Sequence, residues 1–234
     1  MPFGDRALIV EFGNVISPEV NRRAHALHNA VLNAKLLGVG ECIPTYRSLL
    51  ITYDPIRLDY EKLVSVIRDL EKTLETYASK RRGRKATIPV VYGGDFGLDL
   101  KRVSQYHNLR ESDVIKIHSE HEYMVYMIGF IAGFPYLGEL NEKIATPRLE
   151  SPRMRVPEGS VGIAERQTGI YPREAPGGWQ IIGRTPIKLF DASWHPPALL
   201  QPDDRVKFKP ISIAGFQQIR SAVSRGDYDP FVEE

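Results

Sequence analysis

The sequence predicts an α+β protein in two parts, and three observations predict it. Two amphipathic helices alternate with short strands over the first third of the chain. A stretch dense in glycine and proline fills much of the second part, where no long helix survives. The composition, 42% hydrophobic and 26% charged over 234 residues, is that of an ordinary folded chain.

Leu8, Val10 and Phe12 alternate as in a strand with one buried face. Pro18 opens a helix whose apolar stripe is Val20, Ala24, Leu27, Val31 and Ala34, and Gly38 and Gly40 stop it. A strand over residues 39–46 and another through Leu49, Ile51 and Tyr53 leave room only for a tight turn between them. Asp54-Pro55 marks the next turn. The second helix carries Tyr60, Leu63, Ile67, Leu70, Leu74 and Tyr77 on one face, and a last strand covers residues 86–92. This β-α-β-β-α-β order is that of a ferredoxin-like sandwich, with two helices on one face of an antiparallel sheet.

The second part opens with a short helix over residues 98–107 and another that starts at Ser112, as N-cap, and runs towards His118. Tyr123, Val125 and Met127 then alternate as a strand. Residues 129–186 hold nine Gly and seven Pro, which suits short strands joined by elaborate loops, in a β-barrel or sandwich. Val161-Gly162-Ile163, Gln180-Ile181-Ile182, Ile187-Lys188-Leu189-Phe190 and Val206-Lys207-Phe208 are the expected strands, and residues 211–225 a terminal helix. The first domain is therefore placed at residues 1–85, with the strand at 86–92 on its boundary, and the second at 86–234. Residues 80–85 (Lys-Arg-Arg-Gly-Arg-Lys) have no interleaved aromatics and read as a solvated connector.

Net charge is +2, from 31 basic and 29 acidic residues, which argues against a dedicated nucleic-acid binder. Cys42 is the only cysteine, so no intramolecular disulfide forms, and its apolar setting suits a small buried hydrophobe. No signal-peptide pattern and no apolar run of the roughly 20 residues that a membrane needs are present, so a cytoplasmic address is expected. His118 and His121 are three apart at a helix-to-strand junction with no shared face, and no metal site is expected there.

The charges in the glycine-rich loops are uneven. Six arginines (Arg148, Arg153, Arg155, Arg166, Arg173, Arg184) and no lysine lie between residues 148 and 184. Solubility alone would use both residue types, whereas the guanidinium fork suits bidentate capture of carboxylate or phosphate. Four glutamates in the same span offer the alternative of loop-pinning ion pairs. Phe130, Phe134 and Tyr136 cluster around Gly133 and Pro135, Tyr171 precedes Pro172, and Pro176-Gly177-Gly178-Trp179 lets backbone approach a ligand. No phosphate loop, nucleophile elbow or catalytic base is visible. The residues alone describe an anion-handling pocket without catalytic machinery.

Several strings carry a resemblance over nearly the whole chain: Ile88-Pro89-Val90-Val91-Tyr92-Gly93-Gly94, Gly133-Phe134-Pro135-Tyr136-Leu137, Thr146-Pro147-Arg148-Leu149-Glu150-Ser151-Pro152-Arg153, and Thr168-Gly169-Ile170-Tyr171-Pro172 followed by Pro176-Gly177-Gly178-Trp179-Gln180-Ile181-Ile182-Gly183-Arg184-Thr185-Pro186. The sequence resembles the B subunit of prokaryotic 5-oxoprolinase, also called allophanate hydrolase subunit 1, a family that includes a sporulation histidine-kinase inhibitor. It departs from the family pattern at Ala132, where a proline is usual.

The resemblance implies a cyclophilin-like barrel for the second part, partner subunits C and A of 5-oxoprolinase, and ATP as co-substrate in opening 5-oxoproline to glutamate. Related domains in urea carboxylase perform carboxyl transfer. On this reading Arg148, Arg153, Arg155 and Arg184 hold substrate or phosphate oxygens, with Tyr171 beside them. Phe134, Pro135, Tyr136, Pro176, Gly177, Gly178, Trp179 and Thr185 form the pocket or an interface. No catalytic residue is assigned, and the isolated chain is expected to be inactive. The alternative is a non-catalytic protein that inhibits a sensor histidine kinase.

Overall fold

The computed structural model describes residues 1–74 and 83–231, in two compact units, Met1–Arg82 and Gly83–Glu234. In the first unit the order is β1 (Ala7–Glu11), α1 (Pro18–Ala34), β2 (Val39–Pro44), β3 (Ser48–Tyr53) and α2 (Tyr60–Glu71). Ser17 caps α1 by accepting from the Val20 N–H, and Pro18 stands in its first turn, where no N–H partner is needed. Asp59 caps α2 through the Lys62 N–H. The strands form an antiparallel sheet in the order β1-β3-β2, with Leu8 opposite Ile51. Leu27 and Leu63 from the helices pack with Leu49 and Ile51 in one fully buried core, so both helices cover the same sheet face. Cys42 is half-buried on this core, and burial raises its thiol pKa.

The strand expected to complete this sheet is elsewhere. Residues 85–92 form β4 (Lys85–Tyr92) in the second unit, parallel to β12 (Arg205–Pro210), with Ala86 opposite Val206 and Ile88 opposite Phe208. Ala86, Ile88, Val90 and Val91 are all buried, so β4 is covered on both faces, and a run of that kind belongs inside a barrel rather than on a half-exposed sheet. The place beside β1 is taken by the first residues of the chain, where Phe3 N–H donates to Ala7 O at 2.8 Å and Ile9 N–H to Met1 O at 2.9 Å. The described residues of this unit thus give βαββα, short of the expected βαββαβ. Tyr77 lies outside the described residues.

The second unit is built on a closed seven-stranded barrel, in the order β11-β4-β12-β5-β6-β9-β8. The remaining strands in it are β5 (Glu122–Ile128), β6 (Pro135–Gly138), β8 (Ser160–Ala164), β9 (Gln167–Ile170) and β11 (Gln180–Arg184). A separate antiparallel ribbon pairs β7 (Arg153–Val156) with β10 (Ala175–Gly177). Helices α3 (Leu100–Tyr106), α4 (Glu111–Glu120) and α5 (Ile213–Arg225) accompany the barrel. Ile88, Val90, Tyr123, Val125, Leu137, Val161, Ile163, Val206 and Phe208 fill its core.

Several expectations shift here. Helix α4 begins one residue before Ser112, with Arg110 at the N-cap and its N–H donating to Asp113. Residues 187–190 form no strand, because Pro186 supplies no N–H and the Ile187 N–H is taken by Thr185 Oγ1; only Phe190 bridges, to Ala198. β5 is buried from Tyr123 to Tyr126, on both faces rather than one.

In the basic run, residues 80–82 lie outside the described residues, and Arg84 is no solvated connector. Its guanidinium donates to the fully buried Asp204 at 2.7 Å and to Leu199 O at 2.8 Å, and stacks 3.8 Å from the Phe231 ring. Gly83 beside it admits no side chain, since a Cβ there would lie 1.7 Å from Asp203 O.

His118 is buried in the core rather than displayed for a metal. Thr168 Oγ1 donates to Gly162 O, so it accepts from His118 Nε2, and Nδ1 in turn accepts from the Tyr92 hydroxyl. Burial, with a smaller push from His121, holds its pKa down at about 3. Among the described residues no helix is long and apolar enough to cross a membrane.

Candidate functional site

A cavity of about 520 Å³ opens on the second unit where the β7–β10 ribbon meets the loop before β6. Aromatic rings form its floor. Phe134 stands edge-on to Tyr171 at 5.2 Å and to Trp179 at 5.4 Å, and Tyr136 closes the group at 4.9 Å from Phe134. Phe134, Tyr171 and Trp179 are no more than 5% exposed, so they are both wall and core. Such perpendicular contacts bring the positive ring edges onto the negative faces and fix the wall's shape.

Glycines admit this packing. A Cβ on Gly177 would lie 2.2 Å from the Tyr171 hydroxyl, and one on Gly133 (φ 84) would lie 2.6 Å from the Phe190 Cβ. The Arg148 segment is tied to the same wall: Leu149 N–H donates to Gly178 O at 2.7 Å, and Gln180 Nε2 to Pro147 O at 2.8 Å.

The six arginines divide into two groups. Three are paired: Arg153 with Asp99 at 2.7 Å, Arg155 with Glu174 at 3.3 Å, and Arg166 with Glu142 at 2.8 Å. Arg148, Arg173 and Arg184 have no carboxylate within 4.0 Å among the described residues. Arg148 and Arg173 stand at the cavity mouth with Glu174. Burial pushes the Tyr171 phenol up to about 12, while the Trp179 N–H and the Arg148 and Arg153 charges pull the other way. At neutral pH this phenol is therefore an uncharged hydrogen-bonding group set among positive charges.

The cavity gathers Phe130, Phe134, Tyr136, Arg148, Tyr171, Arg173, Pro176, Gly177, Gly178 and Trp179, ten of the residues that the sequence marks. It does not gather the others. Arg153 lies behind the wall on Asp99, Arg155 is exposed on its glutamate, and Arg184 donates through Nε to Glu158 O. Thr185 is buried, its hydroxyl accepting from Ile187, and Pro135 is buried in β6. Ile131 and Pro152 also line the cavity, and neither has a sequence signal beyond its place in a loop. Asp99 stands at the N-cap position of α3, inside the helix expected over residues 98–107, yet it makes no side-chain cap bond and serves as the buried partner of Arg153.

Chemically, the cavity fits a small, largely apolar ring with one anionic group. The rings supply a dry floor, and two unpaired guanidiniums supply bidentate donors at the mouth. Among the described residues the only carboxylate in the lining is Glu174, already paired with Arg155, and no histidine or cysteine reaches it.

Comparison with known proteins agrees with this architecture. Residues 1–200 match the family model described as carboxyltransferase domain, subdomain C and D. The chain is 45% identical over 221 residues to the B subunit of 5-oxoprolinase from Bacillus subtilis (strain 168), covering 89% of this chain and 91% of that protein. It is 39% identical over 208 residues to the B subunit of 5-oxoprolinase from Escherichia coli O157:H7, covering 88% and 93%.

Among solved structures, TTHA0988 superposes with a TM-score of 0.78 at 37% identity, over 88% of this chain and 40% of that one. The urea amidolyase of K. lactis superposes with a TM-score of 0.77 at 21% identity, over 97% of this chain and 16% of that one, and shows the fold alone. The chain thus spans two fifths of TTHA0988 and a much smaller share of the amidolyase.

Proposed function

The chain belongs to the carboxyltransferase-domain family represented by the B subunit of 5-oxoprolinase, and from that premise we propose that it is one subunit of an ATP-dependent enzyme that opens 5-oxoproline to glutamate. The observation that supports the substrate is the aromatic cavity with Arg148 and Arg173 unpaired at its mouth. 5-Oxoproline is a small lactam ring with one carboxylate, the shape and charge that this wall accommodates. The ring lies on Phe134, Tyr171 and Trp179, the carboxylate reaches the arginines, and the neutral Tyr171 hydroxyl faces the polar edge of the lactam.

A lactam amide is a poor electrophile. Transfer of the terminal phosphoryl group of ATP to the lactam oxygen, with release of ADP, makes the ring carbon electrophilic. Water adds there, and the C–N bond breaks as the nitrogen takes a proton and leaves as the free amine. A second water cleaves the resulting acyl phosphate to carboxylate and phosphate. This chain binds and orients in that scheme. ATP and the general base fall to partner subunits A and C, because the described residues of the cavity offer neither a phosphate loop nor a free carboxylate.

Isothermal titration of 5-oxoproline into the isolated chain and into the reconstituted assembly tests the reading. Binding with one site per chain, weakened by Arg148→Gln, is expected; no binding to either form refutes it.

A second reading has its own observation. Phe130, 61% exposed, stands at the cavity mouth, and Met154, 82% exposed, lies on the adjoining ribbon. Exposed apolar side chains beside a pocket suit a protein partner, either a companion subunit or a histidine kinase. Phe130→Ser tests this reading: weakened association with the protein partner supports it, and association unchanged in the variant refutes it.

A further inference from the structure

We propose that Phe130 is a movable cap on the aromatic cavity, which closes over the lactam ring of 5-oxoproline and stays open over glutamate, so that it selects substrate against product. This rests on the cavity reading above. Phe130 lines the cavity, yet its ring is largely exposed, and an edge-on contact with Phe134 at 5.7 Å holds it at the rim of the aromatic floor.

The backbone of Phe130 is strained. Ile131 N–H donates to Gly129 O at 2.7 Å, so Phe130 is the centre of a three-residue turn, and its φ is 63°. Such a turn is rare, and an aromatic residue seldom occupies it. Burial of the side chain does not compensate, because most of the ring is in solvent. Strain of this kind clusters at ligand clamps and switch regions.

The base of the loop is fixed. Gly129 N–H donates to Phe134 O at 3.1 Å, Phe134 N–H donates to Ile131 O at 3.0 Å, and Ile128 stands opposite Pro135. Between these anchors residues 130–132 contain no proline to fix φ. Release of the one bond from Ile131 to Gly129 lets Phe130 return to negative φ and carry its ring inward while the base stays in place.

A cavity of about 520 Å³ suits a ligand larger than one lactam, so 5-oxoproline alone leaves a ring face wet. Closure buries that face and the exposed Phe130 ring together. With no ligand, closure would leave a void beneath the ring, which keeps the cap open in the empty chain. Opening the lactam reverses the balance. The neutral amide becomes an ammonium group and a second carboxylate, and an apolar cap would strip water from both. Among the described residues only Glu174 in the lining could meet the ammonium, and it is paired with Arg155. The closed cap therefore fits the cyclic amide and rejects the open chain.

The test is calorimetric titration of the full chain with 5-oxoproline and with glutamate, beside amide hydrogen exchange of residues 130–132. Phe130→Gly should lower 5-oxoproline affinity roughly tenfold and leave the weaker glutamate binding unchanged. Glycine takes a positive φ without strain, so its melting temperature should hold, and Phe130→Tyr should keep the wild-type preference for 5-oxoproline. Saturating 5-oxoproline should slow exchange in the loop, and glutamate at the same concentration should not. If the wild type binds no 5-oxoproline, the cavity reading fails and the cap with it. If the wild type binds but Phe130→Gly binds equally well, if both ligands lose affinity equally, or if 5-oxoproline leaves exchange unchanged, the cap alone is overturned.

Discussion

Arg153 Nη2 donates to Asp99 Oδ1 at 2.7 Å, and the other oxygen of Asp99 accepts from the Ile181 N–H at 2.7 Å. One nearly buried carboxylate therefore joins the approach to α3, the ribbon strand β7 and the barrel strand β11 behind the cavity wall. Arg153 Nη1 is buried without a partner, so the guanidinium cannot lose Asp99 and remain satisfied.

Asp99→Ala should therefore destabilise the chain by about 3–5 kcal/mol, the usual effect of leaving one member of a buried pair uncompensated. Chemical denaturation of the purified chain measures it. A loss below about 1 kcal/mol, the level of a surface pair, would show that the bond does not hold the ribbon in place.

His118 gives the barrel a pH dependence. The folded chain keeps it neutral down to about 3, whereas in the unfolded chain it protonates near 6.5. Protons are taken up on unfolding in that window, so stability falls as pH drops from 6.5 towards 3, by up to about 1.4 kcal/mol per pH unit. His118→Gln should be less stable at pH 7 but lose less on moving to pH 5. Denaturation midpoints at the two pH values decide it, and equal losses in both proteins would assign the pH dependence to other groups.

Gly177→Ala should disturb the cavity more than one methyl group suggests. Its Cβ would lie 2.2 Å from the Tyr171 hydroxyl, so either the ring or β10 must move. A stability loss of about 1–3 kcal/mol is expected from such overpacking, together with weakened 5-oxoproline binding. The double variant Gly177→Ala with Tyr171→Phe should recover part of the stability, and no recovery would place the clash elsewhere.

Much of this is legible in the sequence, and the reasons differ by element. The periods of α1 and α2 and the alternation at Leu8, Val10 and Phe12 report one-sided burial, which local pattern reveals directly. The sequence alone puts β4 on the wrong sheet, because a run such as Ala86 to Val91 states only that a strand is buried, not which neighbours bury it. The aromatic and glycine positions of the cavity are visible because rare residues cluster in three loops. The division of the arginines is not. Arg148 and Arg153 look alike in sequence, and only the long-range approach of Asp99, 54 residues away from Arg153, makes one a structural pair and leaves the other at the mouth.

Trp179 is a case where the structure changes the expectation. At 5% exposure and edge-on to Phe134, it is part of the core as well as the cavity floor. Trp179→Ala should cost about 3–5 kcal/mol in the isolated chain, rather than only weakening assembly. Trp179→Phe should retain most of the stability and still impair ligand binding. If Trp179→Ala melts like the wild type, the ring is an interface group and its packing here is incidental.

The central claim is that the cavity binds the 5-oxoproline carboxylate through Arg148, and the most direct measurement is the KM for 5-oxoproline in ATP hydrolysis by the assembly reconstituted with subunits A and C. Arg148 is exposed and has no carboxylate partner among the described residues, so Arg148→Gln should leave the melting temperature unchanged. Losing a charge-assisted hydrogen bond costs about 1.5–3 kcal/mol, so KM should rise roughly tenfold to a hundredfold. An unaltered KM in a fully folded Arg148→Gln assembly would contradict the account.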